Sequence, residues 1–317
     1  MAVALDNSTV RRLLRIPPAY YVFVLLLLVL WIARPHMLNL NVLGIFVRQV
    51  APLGILVIGQ LLVMRVKSID LSGGGVILLI NYCISSGTFP GASMGFFVVL
   101  ALAIGIGVGL FNGLMVGKRR VSAVIVTLAV SIILVGFVQY LSSGKPPGDV
   151  PSMFTDIYNT KLGPLPTPVL FWVALSFAMW LFLSRTVFGR FVASVGENAQ
   201  AAHFSGVPVE RTVVLAHVLA GLFAGIAALV QTASIAVGSV RVGLDLPILA
   251  VAATILGGVV FGRGEGGVWG PFFGVLSFAL LFVVMTAFGI GESGKLVAQG
   301  LIILLAAIFY GLRSQRH

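Results

Sequence analysis

The chain has 317 residues, of which 59% are hydrophobic and only 9% charged, and its mean hydropathy is +1.11. A soluble domain carries about 25% charged residues, so a water-soluble fold is excluded and lipid is the natural solvent for this surface. The net charge of +11 would suit nucleic acid, but the basic residues stand in short clusters between apolar segments. That is the pattern of topology signals, not of a phosphate-binding face. Cys83 is the sole cysteine, which leaves no intrachain disulfide and no cysteine-based metal cluster.

The expected fold is an all-α, polytopic membrane protein with about ten transmembrane helices. In chain order the apolar segments fall at roughly 19–33, 50–64, 72–88, 93–117, 121–141, 167–184, 212–237, 245–262, 268–289 and 295–312. Arg11, Arg12 and Arg15 precede the first, and Ser8 is placed to cap a short basic helix on the membrane surface. No small-x-small cleavage site follows, so the run Tyr20 to Ala33 reads as a retained span. With the N-terminus inside, fourteen Lys and Arg fall on the inner side and six on the outer, which predicts N-in and C-in.

Glycines mark the helix contacts. Gly105, Gly109, Gly113 and Gly117 repeat every four residues, as do Gly262, Gly266, Gly270 and Gly274, and Gly221 pairs with Gly225. That spacing puts small residues on one face and lets backbones approach. The longest polar connection, 142–166, carries Pro146, Pro147, Pro151, Pro164 and Pro166, enough to stiffen a loop and too little for a second domain. One domain, 1–317, is expected, and its two halves, segments two to five and seven to ten, are candidates for an internal pseudo-symmetry.

Signatures of catalysis fail on context. "GIGESGK", Gly289 to Lys295, has phosphate-loop spacing, but Leu296 stands where Ser or Thr would hold magnesium and no strand precedes it. It reads as a turn. His36, His203, His217 and His317 are not paired at metal-ligand spacing, and the nine acidic residues form no i, i+3 or i, i+4 pair. No enzyme activity and no metal site is expected.

Polar residues within the apolar segments are expensive in lipid and become the candidates. "KSIDLSGGG", Lys67 to Gly75, sets Asp70 and Ser72 beside Gly73 and Gly74, a stretch suited to break a helix and present backbone groups to a pathway. The other reading is a turn, with Asp70 paired to Lys67 or Arg65 or capping the next helix. Asn81, Asn112, Thr127, Gln139, Gln231 and Thr232 serve either as interhelical hydrogen bonds or as substrate contacts.

"GRFVASVGENAQAAHFSGV", Gly189 to Val207, is a compact polar stretch on the inner side. Ala193, Ala199, Ala201 and Ala202 keep its helix slim, Gly206 and Pro208 stop it, and Arg190 and Glu197 dress a surface that another protein could grip. The stretch resembles the coupling region of the ribose-type family of ABC sugar-importer permeases, through Gly189-Arg190, Gly196-Glu197-Asn198, Ala201-Ala202 and Gly206-Val207. "SIDLSGGG", the run from Gly109 to Gly136 and the run from Ala250 to Gly274 resemble further segments of that family, in order, across most of 50–275. Pro247, Ile248 and Leu249 replace the family's usual acidic run before Ala250, and Gly73 to Gly75 replace its Val-Gly-Ser.

The resemblance implies a permease for a monosaccharide or similar small polar solute, in a bacterial inner membrane. Residues 1–18 would be a cytoplasmic basic segment and 185–211 the region that couples to an ATPase. It implies a separate cytoplasmic ABC ATPase that uses ATP and magnesium, a periplasmic substrate-binding protein and a second permease subunit, identical or paralogous. No cofactor bound to this chain and no nucleic acid is implied. A related permease for branched-chain amino acids or nucleosides stays open. So does an ATP-independent secondary transporter, although the absence of Asp and Glu between Gly91 and Leu141 counts against it.

Overall fold

The computed structural model describes residues 16–259, 264, 266–291, 293–302 and 304. The basic residues Arg11, Arg12 and Arg15, the Ser8 cap, Gly262, Arg263 and the end of the tenth apolar segment lie outside them. Among the described residues, six helices are long and apolar enough to cross a membrane. They are α2 (Leu40–Arg65), α4 (Met94–Gly113, continued as a π-helical stretch Leu114–Lys118), α5 (Ala123–Ser142), α7 (Thr167–Arg185), α10 (Val209–Ile235) and α12 (Trp269–Ala287). Three shorter apolar helices, α1 (Pro18–Ala33), α3 (Gly73–Ser85) and α11 (Leu246–Leu256), account for the first, third and eighth expected segments. Residues 293–302 and 304, at the tenth, are also helical.

Local chemistry sets the helix ends. Pro18 and Pro247 sit in the first turns of α1 and α11, where a missing N–H costs nothing. The Asn39 side chain accepts from the Asn41 N–H at the start of α2, and Ser93 accepts from the Phe96 N–H at the start of α4. Pro52 lies inside α2 and is tolerated there because the helix is buried on all sides around it.

The same order of elements occurs twice. A helix of 26 residues (α2) is followed by an irregular segment 66–72, the short α3 and the long α4. A helix of 27 residues (α10) is followed by the irregular segment 236–245, the short α11 and the long α12. The halves interlock: α10 packs on α3 and α4, α2 packs on α11 and α12, and α2 and α10 pack on each other. The two irregular segments begin at opposite ends of the bundle and approach each other at the start of α3, where Gly74 lies against Gly243 and Leu244. Segment 66–72 adjoins the short helices α8 (Val187–Glu197) and α9 (Ala199–Phe204), since Gly196 abuts the Arg65 carbonyl. Segment 236–245 meets the 142–166 connection, where Asp149 bridges Val237 and the Gly238 N–H donates to the Gly148 carbonyl. That connection holds α6 (Ser152–Asn159) and a two-stranded hairpin, Lys161–Leu162 with Leu165–Pro166. Phe154 and Tyr158 of α6 are buried, and Ser234 of α10 donates to the Tyr158 hydroxyl at 2.9 Å.

The glycine repeat of α4 meets α10 along its whole length. A Cβ on Gly105 would collide with the Gly221 carbonyl, one on Gly109 with the His217 carbonyl, and one on Gly113 would sit 2.9 Å from Val214 Cα. Gly270 and Gly274 of α12 likewise meet Gly257 and Ala253 at and beyond the end of α11. By contrast α5 has only 17% of its most apolar stretch buried, so most of its surface, Ile125, Ile132 and Ile133 included, faces outward. Gly107 faces open space on the same helix as Gly109. Gly109→Val should therefore cost about 1–3 kcal/mol or more by overpacking, and Gly107→Val close to nothing. Thermal unfolding in detergent checks this; equal midpoints for the two variants would remove the glycine seam from the account.

Candidate functional site

The break after α2 gathers a buried polar cluster. Lys67 takes a left-handed backbone (φ 62°), which turns the chain out of the helix. The Ser68 N–H still reaches back to the Val63 carbonyl at 2.9 Å. Asp70 Oδ1 then accepts from both the N–H and the hydroxyl of Ser72, at 2.8 and 2.6 Å. Asn112 of α4 donates to the Ser72 Oγ at 2.9 Å, and Thr127 of α5 accepts the Leu71 N–H at 3.0 Å. Ser68 and the His217 Nε2 of α10 are 2.8 Å apart, and the His217 Nδ1 faces Asp70 Oδ2 at 3.8 Å. Side chains from three helices thus satisfy the groups that the irregular backbone cannot pair within itself.

Asp70, Ser72, Asn112 and Thr127 come together here, and each is buried. Of the two forms of the turn reading, the ion pair is absent, since Lys67 reaches the Glu197 carbonyl at 3.2 Å and Arg65 the Gly264 carbonyl at 3.3 Å, whereas Asp70 does accept the Ser72 N–H at the start of α3, as a cap would. Gly73 and Gly74 do not break the helix either. They form the first turn of α3, and the break falls just before them. Their role is contact, since a Cβ on Gly74 would meet the Gly243 carbonyl at 3.0 Å. Asn81 lies at the other end of α3, where it accepts the Ser239 N–H at 2.9 Å and donates to the Val237 carbonyl at 3.3 Å. It braces the second irregular segment. Ser68, His217 and Asp70 follow the order of an acyl-transfer triad. Ser68 is only 2% exposed and the second link is too long for a hydrogen bond, so the three act as a tie.

The polar stretch 189–207 is two helices, not one. Asn198 is extended (φ −152°, ψ 103°) and its Oδ1 accepts the Gln200 and Ala201 N–H groups, both at 3.0 Å, so it caps α9 and thereby ends α8. Thr186 caps the start of α8 by accepting from the Gly189 N–H. Gly189, Gly196 and Ala202 are buried on the inner faces of this pair, and Arg190, Glu197, Asn198, Ala201 and Gly206 are exposed. Gly196 has no room for a side chain, because a Cβ would strike both the Arg65 carbonyl and Gly264. Phe204, 80% exposed at the end of α9, is an apolar surface residue that the sequence reading passed over. A cavity of about 610 Å³ separates α9 from the start of α10 and from the π-helical stretch, with Lys67, Ser68, Arg120, His203 and Arg211 among its walls.

The profile of the family described as "Branched-chain amino acid transport system / permease component" matches residues 42–307. The chain belongs to this family. It is 28% identical to the ribose import permease protein RbsC of Escherichia coli strain K12 over 279 residues, which cover 86% of this chain and 87% of that protein. It is 33% identical to the L-arabinose transport system permease protein AraH of the same strain over 199 residues, 62% of this chain and 60% of that protein. It is 27% identical to the autoinducer 2 import system permease protein LsrD of Photorhabdus temperata over 300 residues, 92% of this chain and 89% of that protein. No solved structure matches. The ribose-type resemblance read from the coupling motif and the comparisons agree, and the chain is a multi-pass ABC importer permease, a transport subunit.

Two of the residues now in the cluster, Ser68 and His217, were legible only in part. An ionisable residue inside an apolar span is itself a signal, and His217 carries it although its spacing fits no metal site. Ser72→Ala removes one of the two donors to Asp70 Oδ1 and the acceptor of Asn112, and should lower stability by about 1–3 kcal/mol. Combined with Asn112→Leu, the loss should fall short of the sum by about 0.5 kcal/mol or more, because both act on one network. A thermal-unfolding double-mutant cycle measures this, and strict additivity would show the two residues to be independent.

Proposed function

We propose that the chain forms the translocation pathway for a monosaccharide or similar polyol in the inner membrane of a bacterium. It works with a cytoplasmic ABC ATPase that uses ATP and magnesium, a periplasmic binding protein that delivers the solute, and a second permease subunit. The observation that carries this reading is the exposed pair α8 and α9, seated through Gly196 on the end of α2, in a chain of the permease family. Arg190, Glu197, Asn198, Ala201 and Gly206 offer the ATPase its docking face, and Gly189, Gly196 and Ala202 hold that face to the bundle. Specificity would rest chiefly with the binding protein, so the pathway needs hydroxyl-matching groups that bind weakly. Asp70, Ser72, Asn112 and Thr127, with Gly73, Gly74 and, across α3, Asn81, would supply them. In this structure Asp70, Ser72 and Asn112 bond to one another and Thr127 to the Leu71 N–H, and solute contact at these residues requires segment 66–72 to move.

The orientation proposed is N-in and C-in with about ten spans. The fourteen-to-six division of the cations supports it. A cysteine at Gly148, with Cys83 replaced by serine, should react with an impermeant thiol reagent from outside intact cells, and one at Gln200 should not. The reverse labelling overturns the orientation.

The functional test uses vesicles carrying the permease with its ATPase and binding protein, supplied with D-ribose, L-arabinose, hexoses and autoinducer 2 in turn. ATP-dependent accumulation of one sugar is expected, insensitive to ionophores. Glu197→Lys or Ala201→Trp should leave the permease in the membrane but lose the ATPase from purified complexes. Ionophore-sensitive uptake without ATP, or normal ATPase retention in both variants, counts decisively against the proposal.

A further inference from the structure

We propose that the irregular segment after α2 is the transmission element between the ATPase-docking helices and the membrane helices, with Lys67 and Ser68 as its positioning residues. The proposal rests on the coupling role given above to α8 and α9.

Two contacts join the docking pair to the end of α2, and they leave almost no slack. Gly196 touches the Arg65 carbonyl and Gly264 so closely that neither contact admits a methyl group. The Lys67 amine donates to the Glu197 carbonyl at 3.2 Å, at the last residue of α8. Lys67 can make this bond because its left-handed backbone (φ 62°) throws its side chain out of the helix line. Next to it, α9 faces the cavity of about 610 Å³ and has room to move. A push on α8 is therefore delivered at 65–67, while a shift of α9 is absorbed by the cavity.

From Lys67 the segment runs directly into the buried cluster. Ser68 holds His217 of α10, Asp70 faces that same histidine and holds Ser72, and Ser72 receives Asn112 of α4. One short stretch thereby touches both helices of the glycine seam and ends in α3. Among the described residues, four buried side-chain atoms lack a hydrogen-bond partner, Arg48 Nε, Gln60 Nε2, Asn112 Oδ1 and His217 Nδ1, and the last two are neighbours here. Both belong to this cluster. A buried polar atom left unpaired is unfavourable, so a small displacement of the segment that pairs either atom would offset the bonds it breaks. A tie with two settings, biased from the docking face, is what coupling between distant sites requires.

Cys83, half-buried on α3 and the sole cysteine of the chain, reports on the far end of this path. The experiment uses the assembled transporter in lipid vesicles and the rate of N-ethylmaleimide modification of Cys83, read by mass spectrometry with ADP and with ATP plus vanadate. In the native complex the two rates should differ by about five-fold or more, the lower end of ordinary coupling. Lys67→Met and Ser68→Ala should each shrink the difference to less than about two-fold, while vanadate still traps nucleotide. Lys67→Arg, which keeps a donor at that position, should restore it. A native-sized nucleotide response in Lys67→Met and Ser68→Ala overturns the proposal, as does a Cys83 rate indifferent to nucleotide in a native complex that traps it. If the native permease retains no ATPase at all, the coupling role itself fails, and that outcome is separate. A merely structural role would lower the amount of assembled complex and leave the ratio of the two rates unchanged.

Discussion

Everything in this bundle depends on the backbone contact between α4 and α10. Gly105, Gly109 and Gly113 lie directly against Gly221, the His217 carbonyl and the Val214 backbone. In lipid no hydrophobic force drives helices together, so association relies on close packing and on polar bonds between helices. The seam supplies the first. It also brings the second, because Asn112 and His217 stand on these two helices, and both reach segment 66–72. A larger residue at any of the three α4 glycines would part the helices and withdraw both side chains together.

Irregular backbone inside a membrane protein is tolerated only where protein satisfies it. Here each half interrupts its hydrophobic run once, after its longest helix. The first interruption is held by Thr127, Asn112 and His217, the second by Asn81 and by the strand-like pairing of 148–150 with 236–238. In each case the bracing groups come from elements distant in sequence. The two interruptions begin at opposite ends of the bundle and converge at Gly74 and Gly243, as the two halves of an inverted repeat would. One begins next to α8 and α9, and the other next to the connection proposed to face outside. A permease that alternates its opening needs a yielding element at each end.

The apolar segments were legible because a span must be apolar for nearly its whole length, and that leaves a mark no tertiary contact can erase. The glycine repeat was legible for a similar reason: a face of a helix is a local property. The partners of that face were not. Nothing local in the sequence says that Gly105 meets Gly221 or that Gly270 meets Gly257. The docking stretch was recognised by motif, yet its division at Asn198 was missed, because its small, helix-favouring residues suggested one continuous helix. An extended asparagine whose side chain bonds the two following N–H groups ends one helix and begins another, and residue spacing alone does not distinguish that from a polar surface position.

The sequence by itself determined the solvent of this protein, its helical class, the places of its apolar helices and its family, because composition and ordered motifs are properties of the chain read along its length. The tertiary structure decided which polar residues meet. Asp70 could have paired with Lys67 or Arg65 nearby, but it faces His217, 147 positions away along the chain, while those two cations turn to the backbone of Glu197 and Gly264. The physical reason is that a buried polar group takes whichever partner the packed helices place within reach. That placement follows from where the glycines let two backbones touch, which is a relation between distant segments and is written in neither of them alone.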